Sequence, residues 1–290
     1  MVLSMILVFM GGKSQNDSTP KLKFSGVQVD LHGVTNFGGF KLDRQQIMKY
    51  VSDDPLSQIN YGGYSSWSNG TTIDFNGTVG FKVYGTFSKK RRYERDVYLG
   101  MYYGGSCSST ANYFQQAFET VDSFSNSSGK KIYQIKETEN IYFYNLSSKQ
   151  VIIPMGITIN TNKQKRIWAS VGISAAPGIR TNYRYNSNNF LITSTYLSAP
   201  TNGSYYSIGP RETSTELLSQ YSKKIKQVGF VGYVSIPASV SLRMSKKIKV
   251  LKHMNANMSI APAYYLSFDK INKLNQGFAM VTNLGFRYNL

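Results

Sequence analysis

Gly277-Phe-Ala-Met-Val-Thr-Asn-Leu-Gly-Phe-Arg-Tyr-Asn-Leu290 is the stretch whose reading decides the fold. Phe278, Met280, Thr282, Leu284, Phe286, Tyr288 and Leu290 share one face of an extended strand, and Gly277, Ala279, Asn283, Gly285, Arg287 and Asn289 share the other. The first face is apolar, with aromatics toward both ends; the second is small and polar. A soluble sheet turns such an apolar face inward beneath helices or a second sheet, and this chain offers neither in quantity. The pattern suits a strand that has lipid as its solvent and a narrow polar interior behind it.

The same alternation recurs upstream. Val228, Phe230, Val234, Ile236, Val240, Leu242 and Met244 oppose Gly229, Tyr233, Ser235, Ser239, Ser241 and Arg243; Met254, Met258, Ile260, Tyr264, Leu266 and Phe268 oppose Asn255, Asn257, Ser259, Ala261, Ala263 and Ser267. Apolar positions also alternate over Val151 to Ile159, Ile167 to Ala175, Ile73 to Phe87, Val97 to Tyr103 and, most weakly, Val27 to Leu31. Segments of about ten residues are what a transmembrane strand requires. The expected fold is all-β: a closed antiparallel transmembrane β-barrel of eight strands. Ten strands are also compatible, because Ile132 to Tyr144 and Phe190 to Leu197 have strand character; they are read here as upward extensions of the spanning strands.

Connection lengths supply the topology. Ser88 to Glu94, Thr161 to Arg166 and Ser245 to His253 are short, whereas Gly33–Thr72, Gly104–Asn145 and Pro177–Lys226 are long. Short turns on one side and long loops on the other form the outer-membrane pattern, with short turns and both termini in the periplasm and long loops outside. Lys41 to Val51 and Glu212 to Tyr221 are expected as short loop helices. Tyr61 to Trp67, Thr181 to Asn189 and Asn202 to Tyr206 are rich in Tyr, Asn, Ser and Gly, a mixture that makes adaptable contact surfaces and is equally that of ordinary surface loops. Asn76-Gly-Thr78 and Asn257-Met-Ser259 have the glycosylation spacing but fall within expected strands.

Composition is consistent with this reading. The chain has 290 residues, 14% of them aromatic, with 25 Gly, and no segment reaches the roughly 18 apolar residues of a spanning helix. A soluble all-β barrel is the competing class. Val2 to Met10, followed by Gly11-Gly-Lys-Ser-Gln15, reads as a signal-peptide core without its basic region, so residues 1–15 are expected to be a signal and 16–290 the barrel. Cys107 is the sole cysteine, which excludes an internal disulfide and a cysteine metal cluster. Nothing implies a cofactor or a metal. The net charge of +18 would suit nucleic acid, but no nucleic-acid module accompanies it.

Glu139 to Ile157, with Tyr144, Ile153, Pro154 and Met155, and the terminal Gly285-Phe-Arg-Tyr-Asn-Leu290 resemble the outer-membrane β-barrel proteins of Bacteroidota, the PorT-like and OmpA/OmpX-like small barrels. The resemblance covers nearly the whole chain after the signal and rests on pattern. It implies residence in the bacterial outer membrane and insertion by the barrel-assembly machinery, which would read Leu284, Phe286, Tyr288 and Leu290; Leu290 departs from the usual terminal aromatic. It carries no shared catalytic residues.

Candidate sites follow from parity. Asp30, His32 and Asp74 point inward in the outer half, and Lys82, Asp96, Arg243 and Arg287 in the periplasmic half. A His polarised by a carboxylate can act as a general base, as in lipid-modifying barrels, but a hydrogen-bonded plug is the favoured reading because so narrow a barrel fills with side chains. Unpaired charges there would be costly, so the lumen charges are expected to pair. His253 is expected to be solvated at a turn. Lys89, Lys90, Arg91, Arg92, Lys163, Lys165, Arg166, Lys246, Lys247 and Lys249 gather on the periplasmic turns. Such a rim attracts anionic headgroups or docks an acidic periplasmic or outer-membrane protein. The expected function is a non-enzymatic structural or interaction subunit of an envelope assembly; a lipid-modifying enzyme and a narrow transport barrel are the alternatives.

Overall fold

Strand-forming residues in alternation make most of the described residues β. A computed structural model describes residues 21–37, 48–54, 65–66, 74–88, 94–161, 163, 165–201, 204–245, 247–248, 251–270 and 273–290. In chain order the strands are β1 (Lys21–Asn36), β2 (Ser65–Ser66), β3 (Asp74–Ser88), β4 (Glu94–Ser125), β5 (Lys131–Ile152), β6 (Met155–Asn160) and β7 (Ile167–Thr201). They continue with β8 (Ser204–Ser207), β9 (Glu212–Ile225), β10 (Gly229–Ser235), β11 (Ala238–Arg243), β12 (Met254–Asp269) and β13 (Lys273–Asn289). One short 3-10 turn, Leu251–His253, precedes β12.

Every ladder is antiparallel, and together they close a ring. β13 pairs with β1, β1 with β3 and β3 with β4. β4 pairs with β5 and β6, both of which pair with β7. β7 pairs with β9, β10 and β11; β10 and β11 pair with β12, and β12 returns to β13.

Eight uninterrupted strands are not what forms. The described residues hold thirteen segments, one of them two residues long. Proline accounts for two interruptions, because it has no N–H to give the ladder. Pro154 separates β5 from β6 and Pro237 separates β10 from β11. Neighbouring bonds carry the sheet across each gap: Ile153 N–H donates to the Pro177 carbonyl at 2.8 Å, and Gly172 N–H to the Pro237 carbonyl at 3.0 Å.

The long connections also differ from expectation. Most of residues 104–145 continues β4 and β5 as one extended hairpin, and most of 177–226 continues β7 and β9. The first hairpin reverses at Asn126, whose side-chain oxygen accepts the Ser128 and Lys130 N–H groups at 3.1 and 2.8 Å, with Gly129 supplying φ 76°. Glu212 to Tyr221 is strand β9 rather than helix, and Thr181 to Asn189 lies within β7 rather than in a loop. In both, β-branched and aromatic side chains pair across the sheet and outweigh weak helical or loop signals. Ile132 to Tyr144 and Phe190 to Leu197 do extend β5 and β7, as read from the sequence. Residues 1–15, Tyr61–Tyr64, Trp67, Asn202–Gly203 and most of Lys41–Val51 lie outside the described residues.

The two faces of the ring wall are chemically opposite. Outward, Ile173 is 67% exposed, and Val29, Leu31, Val171, Val234, Ile260, Phe278, Leu284 and Phe286 are likewise exposed. Inward, Ser174, next in sequence to Ile173, is 6% exposed, and Gln28, Asp30, His32, Asp96, Asn255, Ser259, Asn283 and Arg287 are buried with it. Large apolar side chains thus face out and polar ones face in, the reverse of a water-soluble domain.

Candidate functional site: the polar interior of the ring

Inward parity on β1, β3, β4 and β13 brings charged side chains together near the end at which Leu290 lies. The Asp96 carboxylate, on β4, accepts Arg287 Nη1 at 2.9 Å, Lys163 Nζ at 2.7 Å and Thr86 Oγ1 at 2.5 Å. Arg287 lies over the Tyr84 ring at 3.9 Å and donates to Ser25 Oγ at 3.2 Å. Arg243 donates through Nη2 to the Lys163 carbonyl at 2.7 Å. Lys163 also reaches Glu94 at 3.2 Å.

A second cluster lies one layer further in. Asp30 accepts Tyr102 Oη at 2.6 Å and Gln28 Nε2 at 2.5 Å, and forms an ion pair with Lys82 at 3.1 Å. Tyr84 Oη donates to Gln28 Oε1 at 3.1 Å, joining the two clusters. Room for the Asp30 carboxylate comes from Gly285 on the paired strand, where a Cβ would collide with Asp30 Oδ1. Across the two layers Asp30 pairs with Lys82, Asp96 with Lys163 and Arg287, and Glu94 with Lys163, while Arg243 bonds a carbonyl. Matched, hydrogen-bonded charges are the form in which a dry interior tolerates ions.

His32 is held by neutral partners and makes no hydrogen bond to Asp30. Its ring stacks on Tyr102 at 4.5 Å and on Tyr233 at 5.7 Å. Nδ1 lies 2.5 Å from Asn283 Oδ1 and Nε2 lies 3.0 Å from Tyr233 Oη. The Asn283 amide nitrogen donates to Ser259 Oγ at 2.9 Å, so its oxygen is the acceptor facing His32. The network therefore assigns the imidazole proton to Nδ1, leaving Nε2 to accept from Tyr233. Both ring nitrogens are used on neutral partners. The Asp74 side chain lies outside the described residues. His253 is half-buried, its ring 5.9 Å from that of Tyr288.

Serines fill much of the rest: Ser174 bonds Ser235 at 2.6 Å, and Asn257 donates to Ser241 at 2.7 Å. A cavity of about 50 Å³ remains between them, bordered by His32, Trp168, Ser170 and Asn257. The arrangement can hold several strands in register from inside.

Toward the far end the interior becomes aromatic. Val51 is fully buried among Tyr142, Tyr144 and Leu146 of β5, Tyr183 and Tyr185 of β7, and Ile225 of β9. Asp54 anchors the segment 48–54 by accepting Tyr185 Oη at 2.9 Å and Ser187 Oγ at 2.7 Å. Lys223 beside Asp53, at 2.6 Å, holds that carboxyl down at about 2.

The basic rim is only partly described. Lys165, Arg166 and Lys247 are exposed. Lys163, expected as a docking cation, turns inward to Asp96 and Glu94, because a buried carboxylate is a stronger partner than water for a nearby amine. Lys89, Lys90, Arg91, Arg92, Lys246 and Lys249 lie outside the described residues. Leu284, Phe286 and Tyr288 face outward on β13, and Leu290 is exposed just beyond it.

The sequence reading gives no role to Gln28, Tyr84 and Tyr102, places Tyr233 inward without a role, and omits the Val51–Asp54 clip; these four inward residues organise the interior. The first four share inward parity with the residues that were singled out, so the signal was present. The clip follows no periodicity. No protein-family model matches the chain, and no curated protein matches it either.

Proposed function

We propose that the chain is a closed transmembrane β-barrel of a bacterial outer membrane, of the small Bacteroidota type, acting without catalysis as a structural or interaction subunit of an envelope assembly. The observation that carries this reading is the inversion of the wall: exposed Ile, Val, Leu and Phe around the outside and a hydrogen-bonded polar interior. A closed ring of antiparallel ladders pairs strand backbone with strand backbone, the condition any spanning structure must meet. The interior supports a plug over a pore, since an ion pair between strands that are not neighbours, Arg287 of β13 with Asp96 of β4, crosses it. In this orientation the termini and the basic turns face the periplasm, and the long hairpins project outward.

Membrane fractionation and heat-modifiable gel migration test the placement: the folded chain should stay with outer membranes and migrate faster before boiling than after. A monomer in the soluble periplasmic fraction overturns it. Purification from the native host in mild detergent tests the subunit reading. An acidic partner that co-purifies with wild type and is lost on reversing Lys165, Arg166 and Lys247 to Glu supports docking at the rim. Unchanged companions leave the rim as a solvated face.

A further inference from the structure

On four successive columns of the wall the outward residues run apolar and then change to a cation at the far edge of the belt. On β5 the sequence is Ile153, Val151, Lys149; on β10 and β9 it is Phe230, Val228, Lys226, Lys224; on β12 it is Phe268 followed by Lys270. On β7 it is Ile173, Ile179 and then Arg184.

Arg184 is there because β7 changes parity. Below residue 181 its even positions are buried, as at Ser174, Ala176 and Arg180; above it the odd positions are buried, as at Tyr183 and Tyr185. The switch coincides with Asn182 at φ 52° and with the register shift between Ser147 and Lys149 on β5. A bulge of this kind re-aims a side chain. In a regular strand Arg184 would join Arg180 inside.

The result is a recess edged by Lys149, Arg184, Lys224, Lys226 and Lys270, with no carboxylate among the described residues that line it. Arg184 and Lys224 are direct cross-strand partners, an arrangement that is repulsive unless an anion lies between the two. Lys149 Nζ is held 5.8 Å above the Tyr103 ring, at the belt's aromatic margin. On β13, β1 and β4 the described outward side chains toward this edge, Leu274, Gln276 and Phe37, and Gly105 beside Lys149, include no cation.

We propose that this recess is a binding site for the phosphate groups of phosphorylated glycolipid in the outer leaflet. The assignment rests on the membrane placement above, which sets the recess at headgroup depth. Guanidinium and ammonium groups at cross-strand spacing match phosphate oxygens, while Val151, Ile179 and Val228 directly below meet the acyl chains.

The test uses the full folded chain in detergent, with native mass spectrometry of bound lipid A and of lipid A stripped of its phosphates. Wild type should retain lipid A and bind the stripped form roughly tenfold less or weaker. Combined K149Q, R184Q, K224Q and K226Q substitution should remove that preference while leaving heat-modifiable migration unchanged. The control variant K165Q, R166Q and K247Q, at the opposite rim, should keep it. Equal binding of the two lipids by wild type, or undiminished preference in the quadruple variant, overturns the site. Competition by millimolar inorganic phosphate that abolishes lipid A binding would assign the site to a free anion and overturn the lipid. Should wild type fail to insert into vesicles at all, the membrane placement falls and takes this site with it, an outcome distinct from an inserted protein indifferent to phosphate.

Discussion

Asp96 and Arg287 meet at 2.9 Å across the interior of the ring, although their strands, β4 and β13, are separated in the sheet by β3 and β1. The bond is therefore a cross-brace and no part of any ladder. Removing Arg287 takes one of two cations from Asp96, which keeps Lys163 and Thr86, so the cost should fall below the about 3–5 kcal/mol of a buried charge left wholly unpaired. Arg287→Met should lower the urea midpoint of unfolding accordingly, read by loss of heat-modifiable migration. D96N combined with R287M should recover a good part of the loss. If R287M alone unfolds at the wild-type midpoint, the brace contributes nothing.

Facing gives a sharper test of the wall. Ile260 is 50% exposed on the outer face and Ser259, beside it, is 7% exposed within. Given a lipid-facing belt, Ile260→Arg should cost about 2–4 kcal/mol in refolding into vesicles. Ser259→Arg should fail by overfilling the interior, and Ser128→Arg, in the exposed turn after β4, should be near neutral. Equal tolerance at residues 260 and 128 would refute lipid contact.

What was legible in the sequence is what a period of two can encode. The inward and outward sets of β12 and β13 were readable residue by residue, because one face of each strand is almost uniformly apolar. The charges that meet inside, Asp30 with Lys82 and Asp96 with Arg287, were identifiable as inward residues but not as pairs, since pairing depends on register between strands far apart in sequence. The extensions of β4, β5, β7 and β9 were harder: beyond the belt both faces carry polar residues and Tyr, and the two-state contrast fades. Pro154 and Pro237 sit inside the alternating segments, so an alternation count passes over the breaks they make. Asn182 hides for a related reason, because a single-residue bulge reverses parity without altering composition.

The exposed pair of Asp53 and Lys223 makes the clip sensitive to acid. Lys223 lowers the Asp53 carboxyl from 3.8 to about 2, with a hydrogen bond from Tyr221 adding to the effect. The folded value is depressed, so the contribution of the pair is fully present above the unfolded pKa and is lost as pH falls through the folded one. The window is therefore between about 4 and 2. A carbon-detected NMR titration of the Asp53 carboxyl should show its midpoint near the lower end, and Lys223→Met should move it up toward the ordinary aspartate value. An unchanged midpoint in K223M would remove Lys223 as the cause.

Val51 is the hydrophobic anchor of the same clip, fully buried in the aromatic cluster of β5, β7 and β9. Truncating it to Ala removes two methyl groups from a packed site, at a cost of about 2 kcal/mol where the cavity cannot collapse. The segment 48–54 touches the ring through this cluster and through the bonds of Asp53 and Asp54, whereas the wall closes through ladders that do not include it. The loss should therefore appear as local opening and leave global unfolding almost unmoved. V51A should speed protease cleavage near Lys49 severalfold, with heat-modifiable migration and the urea midpoint of the ring close to wild type. Asp54→Ala should act in the same direction by freeing Tyr185 and Ser187. If V51A lowers the midpoint of the whole ring by the full amount while cleavage near Lys49 keeps its wild-type rate, the clip is part of the cooperative core and is not a separable cover over the far end.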